Sequence, residues 1–362
     1  MSEEEKISSL HDDLEHPFSG KDIPEYDTER GYPNQYPDVG PRGERSIVNR
    51  LSQFGITQKD LASVGVESAF ELSQEQFDAL MIQAVRQQYD TLLPSVYGRW
   101  AKMEHPENQL AVVQRVARIY KSWGFRIVQK GDKLSVEEPN LLLSLEGAHF
   151  VRDLGDIDKI HDLGIRSVMV QYNNENALAS NEGLTELGAQ AVRKMIDQGI
   201  IIDLAHNNPN VRRDIFSVVE SLGKGSLLAY THGAESLDIA KDKQFAAYAE
   251  KRGLTSDEIK RLVGLGGIIG LGVTRPFYQN IEQMAEAIDR ICQIEKGPQS
   301  LGLGSDFGGV APSLEIGVAN PAEVARLADV LAAKFNYPDA LIKNILRNNI
   351  HHWVEDHQNK SI

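Results

Sequence analysis

From Pro139 onward the chain alternates short apolar, β-branched runs with longer stretches whose apolar positions recur at helical spacing. The runs Leu141–Glu146, Ile165–Tyr172, Ile200–His206, Leu227–His232, Gly267–Val273 and Ser300–Asp306 are too short for helices and apolar on both faces. Parallel strands covered by helices read this way. Between them the spacing predicts helices near Asp156–Leu163, Thr185–Gln198, Asn208–Leu222, Thr255–Val263 and Ile281–Ile294. Such alternation builds a parallel sheet.

Before Pro139 the pattern is weaker. Ile7–Leu10 is a short strand candidate, Ser46–Phe54 and Thr57–Val64 are short helices, and Gln109–Trp123 is an amphipathic helix. Phe125–Val136 reads as a hairpin around Lys130-Gly-Asp-Lys133. Phe77–Val85 fits strand or helix on pattern alone. With Ile7–Leu10 the strands number seven and a closed barrel needs eight, a count that favours a strand there. The expected fold is α/β, a (β/α)8 TIM barrel formed as one domain by residues 1–362. A long stretch without periodicity makes residues 15–70 a lid-like insertion, and helices at 321–362 cover the barrel.

Charge and cysteine content narrow the function. The net charge of −14 and the lack of a Lys/Arg stripe argue against a nucleic-acid partner. The single cysteine, Cys292, excludes an intramolecular disulfide and a cysteine-based zinc knuckle, and favours a reducing compartment. Met1-Ser-Glu-Glu-Glu-Lys-Ile has neither the basic nor the apolar region of a signal peptide. No apolar run reaches the ~18–20 residues that span a bilayer. The expectation is a cytoplasmic protein with no membrane partner.

The candidate chemistry stands at the strand ends: His11 and Asp13, Glu146, Tyr172, His206, His232 and Asp306. In α/β barrels these ends form the active-site rim. A lone histidine there is more often structural, and Glu146 before Gly147 could simply cap a turn. Two consecutive strand–helix units that both end in His, at 206 and 232, are harder to assign to chance. Imidazole and carboxylate ligands suit zinc, manganese or iron. Glu146, between the two ligand groups in chain order, could bridge two ions, and a shared hydroxide would then have its pKa lowered towards neutrality. Asp306, on the Gly-rich exit Gly302-Leu-Gly-Ser-Asp-Phe-Gly-Gly309, could carry a proton to a leaving amine. His105, His149, His161, His351, His352 and His357 fall on helices or loops and are read as surface or structural.

Several segments resemble the renal-type (membrane) dipeptidases, zinc peptidases of the amidohydrolase superfamily. They are Leu145-Glu-Gly147, Gly164-Ile-Arg166, Asn176-Ala-Leu-Ala179, Gly183-Leu-Thr-Glu-Leu-Gly188, Ile202-Asp-Leu-Ala-His206, Tyr230-Thr-His232, Arg252-Gly-Leu-Thr-Ser-Asp257 and Gly304-Ser-Asp-Phe307. The resemblance implies two zinc ions, held by His11, Asp13, His206 and His232 and bridged by Glu146. It implies that Asp306 is the acid/base group and that Arg252 holds the substrate's terminal carboxylate. The activity it implies is cleavage of the amide bond of a dipeptide or similar small acyl-amino acid, by a metal-bridging hydroxide. A homodimer is the family expectation.

The chain departs from the family where Ser9 replaces an Asp two residues before His11, and where Tyr172 replaces a His that steadies the substrate carbonyl. The segment between His232 and Arg252 is also longer than usual. Two other readings stay open: another hydrolysis of the same superfamily, on an N-acyl amino acid, cyclic amide or lactone, and a non-catalytic barrel in which Tyr172 marks lost chemistry.

Overall fold

The computed structural model describes residues 7–12, 51–67 (without 53), 72–96, 109–273 (without 136), 277–307 and 318–359 (without 319). Eight parallel strands form one ring: β1 (Ile7–Asp12), β2 (Tyr89–Val96), β3 (Ser144–Leu145), β4 (Ser167–Met169), β5 (Ile201–Asp203), β6 (Leu228–Tyr230), β7 (Ile268–Leu271) and β8 (Leu301–Leu303). Each pairs with its successor. β8 returns to β1 with Leu303 opposite Ser9, so the barrel closes. Closure leaves no open edge in the ring. Helices cover its outer face, which is why Ile201, Ile202, Ile268 and Ile269 are all buried despite lying consecutively along their strands.

Local chemistry sets the helix boundaries. α1 (Gln74–Gln88), α2 (Gln109–Ser122), α3 (Gly155–Asp162) and α4 (Glu186–Asp197) follow the pattern of apolar residues on their inner faces. α4 starts at Thr185, whose hydroxyl accepts from the Gly188 amide. α5 (Pro209–Leu222) starts at Asn208, whose side chain accepts from the amides of Asn210 and Val211, with Pro209 preset for the first turn. It ends at Gly223 with φ of 64°, a left-handed position that glycine tolerates. After β6 come α6 (Ala246–Arg252) and α7 (Ser256–Gly264), the latter opened by a reciprocal capping box between Thr255 and Glu258. α8 (Ile281–Cys292) leads into β8.

Two sequence expectations need correction. Phe77–Val85 is not a strand; it is the middle of α1. Phe77, Leu80, Met81, Ala84 and Val85 are buried at helical spacing, and Ser73 with Gln76 supplies a capping box. The eighth strand follows it at Tyr89–Val96, where Asp90, Thr91, Pro94 and Ser95 interrupt the apolar pattern. Phe125–Val136 does not fold back as a hairpin. Arg126–Ile127 pairs in parallel with Asn140–Leu141, which in turn pairs with the first half of β2. A local turn does form, because Asp132 accepts from the Gln129 amide at 2.9 Å, but the chain leaves it without antiparallel return.

Within the expected insertion, residues 51–67 include the helix Gln58–Ser63 and pack on the core through Leu51, Phe54 and Leu61. Residues 15–50, with the expected helix start at Ser46, lie outside the described residues. The expected C-terminal cover is present as α9 (Val324–Phe335) and α10 (Asn349–Asn359). Asn349 donates to the carbonyls of Pro298 and Leu301 at 2.6 and 2.9 Å and so pins the cover to the start of β8. Among the described residues, no helix is long and apolar enough to cross a membrane.

Candidate metal centre

Glu146 follows β3 directly, His206 and His232 stand in the turns just after β5 and β6, and the barrel brings their side chains together at its carboxyl rim. One ligand atom from each lies within 4.8 Å of the others. His206 Nε2 is 2.9 Å from His232 Nε2 and 3.2 Å from Glu146 Oε1. All three are largely removed from water, with Glu146 at 4% exposure and His232 at 2%.

Neighbouring groups dictate the tautomers. Asn173 Oδ1 faces Arg252 Nη1 at 3.2 Å, and a guanidinium only donates, so that Asn173 atom is an acceptor. The same oxygen faces His206 Nδ1 at 3.1 Å, which therefore carries the proton. On the other ring, Thr231 donates to Asp203 Oδ2 at 2.5 Å, leaving its oxygen to accept from His232 Nδ1 at 3.1 Å. Both Nε2 atoms are then lone pairs, aimed at each other and at a carboxylate oxygen. Acceptors gathered at that spacing are stabilised by positive charge, which Arg252 Nη2 brings to the His206 atom at 2.9 Å, and neutral imidazole with carboxylate is the donor set of divalent metals. The residues fit such an ion on chemical grounds. Hydrogen bonds to the far ring nitrogen are also what orients metal-ligating histidines.

Asp203 is fully enclosed. It accepts from the amides of Ala205 and Thr231 at 2.9 and 3.1 Å as well as from the Thr231 hydroxyl. Burial nevertheless outweighs these bonds and pushes its carboxyl up to about 6, with the charge of Glu146 adding to the rise.

The rim is also strained. Asn173, His206 and Asp306 adopt φ of 58°, 61° and 61°, left-handed values that cost a non-glycine residue free energy. They follow β4, β5 and β8, and such outliers cluster at functional sites. Gly304 permits the close approach of β8 to β6: a Cβ there would lie 1.7 Å from the Thr231 carbonyl oxygen. That contact brings the turn carrying Asp306 beside His232.

The other expected site residues fall as follows. Tyr172 stacks on the His206 ring, with centroids 4.0 Å apart and planes 26° from parallel. Arg252 ends α6, is buried, and donates through Nη2 to His206 Nε2 at 2.9 Å. Its guanidinium also lies over the Tyr248 ring at 5.7 Å. Asp306 is buried at the exit of β8. His11 lies near the carboxyl end of β1, at the same rim, while Asp13 lies outside the described residues. His149, expected on a surface or in a structural position, is structural. It is buried, and its ring packs with Tyr172 around the space a Gly147 side chain would occupy. Asn173, Asp203 and Thr231 carry the orientation of both imidazoles and went unread, although Asp203 and Thr231 stand inside the quoted segments.

Residues 57–361 match the sequence model of the membrane dipeptidase family, Peptidase family M19. An uncharacterized dipeptidase of Schizosaccharomyces pombe is 22% identical over 232 residues, which is 59% of this chain and 53% of the relative. This chain thus spans about half the length of that relative. A metallo peptidase from Rhodobacter sphaeroides, solved with a phosphinate mimic of the dipeptide L-Ala-D-Ala, superposes with a TM-score of 0.62 at 17% identity, covering 97% of this chain and 98% of that one. An amidohydrolase from Pseudomonas aeruginosa gives 0.59 at 17% identity, covering 75% of this chain and 90% of that one. At these identities the structures show a shared barrel fold, and the match over most of the sequence places the chain in the membrane dipeptidase family.

Proposed function

We propose that this protein is a metal-dependent dipeptidase that hydrolyses the amide bond of a dipeptide or similar small acyl-amino acid. The observation that supports it most is the convergence of Glu146, His206 and His232, with both imidazole tautomers set so that their lone pairs face one carboxylate oxygen. On this reading Glu146, His206 and His232, together with His11 and Asp13, would hold divalent metal, and zinc would suit the set best. Bound cations supply Lewis acidity, polarising the substrate carbonyl and making water acidic enough to attack at neutral pH.

The chain's own groups do the rest. Arg252 pairs with the substrate's terminal carboxylate and fixes the scissile bond against the rim. The Tyr172 hydroxyl donates to the carbonyl oxygen as negative charge develops there. Asp306 carries a proton to the departing amine.

Incubating the purified protein with a panel of dipeptides, N-acyl amino acids and lactones tests the reading. Free amino acids should appear from dipeptides, stop appearing on chelation, and return when a divalent ion is restored. No dipeptide turnover by metal-loaded protein, or faster turnover of lactones, would overturn it.

A further inference from the structure

Behind Arg252 lies a second arginine to which none of the chemistry above assigns a task. Arg212, on α5, is 1% exposed, yet every N–H of its guanidinium has an acceptor. Nε and Nη2 donate to the two carboxylate oxygens of Glu258 at 2.8 and 3.2 Å. Nη1 donates to the carbonyls of Asn207 and Lys251 at 2.9 and 3.1 Å, and Nη2 to that of Gly253 at 3.1 Å. Lys251 and Gly253 flank Arg252, and Asn207 follows His206. One rigid fork therefore holds the backbone on both sides of Arg252 and the backbone beside a candidate metal ligand.

Three further contacts make this a built arrangement. The Arg252 carbonyl itself accepts from the Tyr230 hydroxyl at 2.7 Å, so three successive carbonyls of the α6 terminus are gripped. Helix-terminal carbonyls lack intrahelical partners and would otherwise be satisfied by water. Glu258 is held in turn, since its Oε2 accepts from the Thr255 amide and hydroxyl at 2.8 and 3.1 Å at the start of α7. At Gly253 a Cβ would lie 2.4 Å from Ser236 Cα, so the chain at the end of α6 is also confined sterically. Burying a charged pair is a poor route to stability, because apolar residues of similar volume often serve as well. What an apolar residue cannot do is fix three carbonyls from two chain segments at once, the task for which a planar five-donor fork is suited.

We propose that Arg212 and Glu258 are a positioning pair that keeps Arg252 in reach of the substrate carboxylate and in register with His206. The inference rests on the reading of Arg252 as the carboxylate partner. Neither residue touches substrate; both act through the backbone that carries Arg252.

The test is a double-mutant cycle read on two substrates, a dipeptide and its C-terminal amide. Arg212→Lys keeps the charge but cannot make the same set of bonds. It should lower kcat/KM on the free acid by about 10–100-fold, mostly through KM, as expected for displacement of a binding group by an ångström or less. The amide should lose little, and metal content should stay unchanged. In an Arg252→Ala background Arg212→Lys should cost nothing further on the free acid. Glu258→Gln should act in the same direction with a smaller effect, and it carries the test if Arg212→Lys fails to fold. Equal losses on acid and amide, or losses that add to those of Arg252→Ala, would overturn the positioning role. A wild-type enzyme that prefers the free acid, with a variant that keeps the preference, removes the pair's role alone. A wild-type enzyme with no such preference removes the reading of Arg252, and the pair's role with it.

Discussion

Arg252 Nη2 and His206 Nε2 share a hydrogen bond of 2.9 Å, so the side chain proposed to read a carboxylate meets a candidate metal ligand at its proposed ligating atom. Once that lone pair is taken by a cation, the same guanidinium edge is free for an anion. On the proposed reading, binding of metal and of the substrate's carboxylate would be linked through this one residue.

Arg252→Ala should cost about 2–4 kcal/mol of transition-state binding on a free-acid dipeptide, the loss expected when one partner of a buried charged pair is removed. On the C-terminal amide the variant should lose little more. Comparison of kcat/KM for the two substrates checks it, and independent, additive losses would mean that another group reads the carboxylate.

Asp203 governs His232 through Thr231. Replacing Asp203 by Asn puts a donor where an acceptor stands, so the Thr231 hydroxyl turns to donate to His232 Nδ1 and the ring proton moves to Nε2. Loss of an orienting group of this kind costs about 10–100-fold in metal affinity. Competition with a chromophoric chelator measures it; an unchanged affinity would leave the hydrogen-bond chain without a role in ligation.

The same carboxyl gives a pH dependence in the metal-free protein. Its folded value of about 6 lies above the ordinary carboxyl value of 3.8, so between those limits the native state keeps a proton that the unfolded chain has released. Stability therefore declines as pH rises through that window and levels off above it. Urea midpoints of chelated wild type and Asp203→Asn at pH 4 and pH 7 should show a decline in the first that is reduced in the second. Parallel curves would place the titration elsewhere.

Tyr172 has two separable parts. Its ring stacks on His206, and its hydroxyl is the proposed donor to the carbonyl oxygen. Tyr172→Phe should keep metal affinity and lower the turnover number by about 10–1000-fold, the range for loss of one preorganised donor. Tyr172→Leu, which also removes the stack, should weaken metal binding. Normal turnover in Tyr172→Phe would leave carbonyl polarisation to the metals.

Much of this was legible in the chain because a parallel barrel exposes its logic in short apolar runs that end in chemistry. The ends at Glu146, His206 and His232 were readable as soon as the strands were, and the structure brings those three together. Phe77–Val85 is a helix despite the strand count, because Phe77, Leu80, Met81, Ala84 and Val85 recur at helical spacing. The strand behind it was masked by Pro94 and its polar neighbours. Residues that act through space left no local signal. Arg212 meets Glu258 across 46 positions, and Asp203 meets Thr231 across 28. The left-handed backbone at Asn173, His206 and Asp306 has only a weak marker in residue type: Asn, His and Asp adopt it more readily than other non-glycine residues, but they stand at many ordinary positions too.

The central claim is that the Glu146, His206 and His232 cluster holds catalytic metal, and metal analysis of the purified protein tests it most directly. Elemental analysis after dialysis should find close to two divalent ions per chain, as in other two-metal hydrolytic sites, and His232→Ala should lower that content while leaving the protein folded. A fully active protein with less than one ion per chain, or a His232→Ala variant with undiminished metal, would contradict the account.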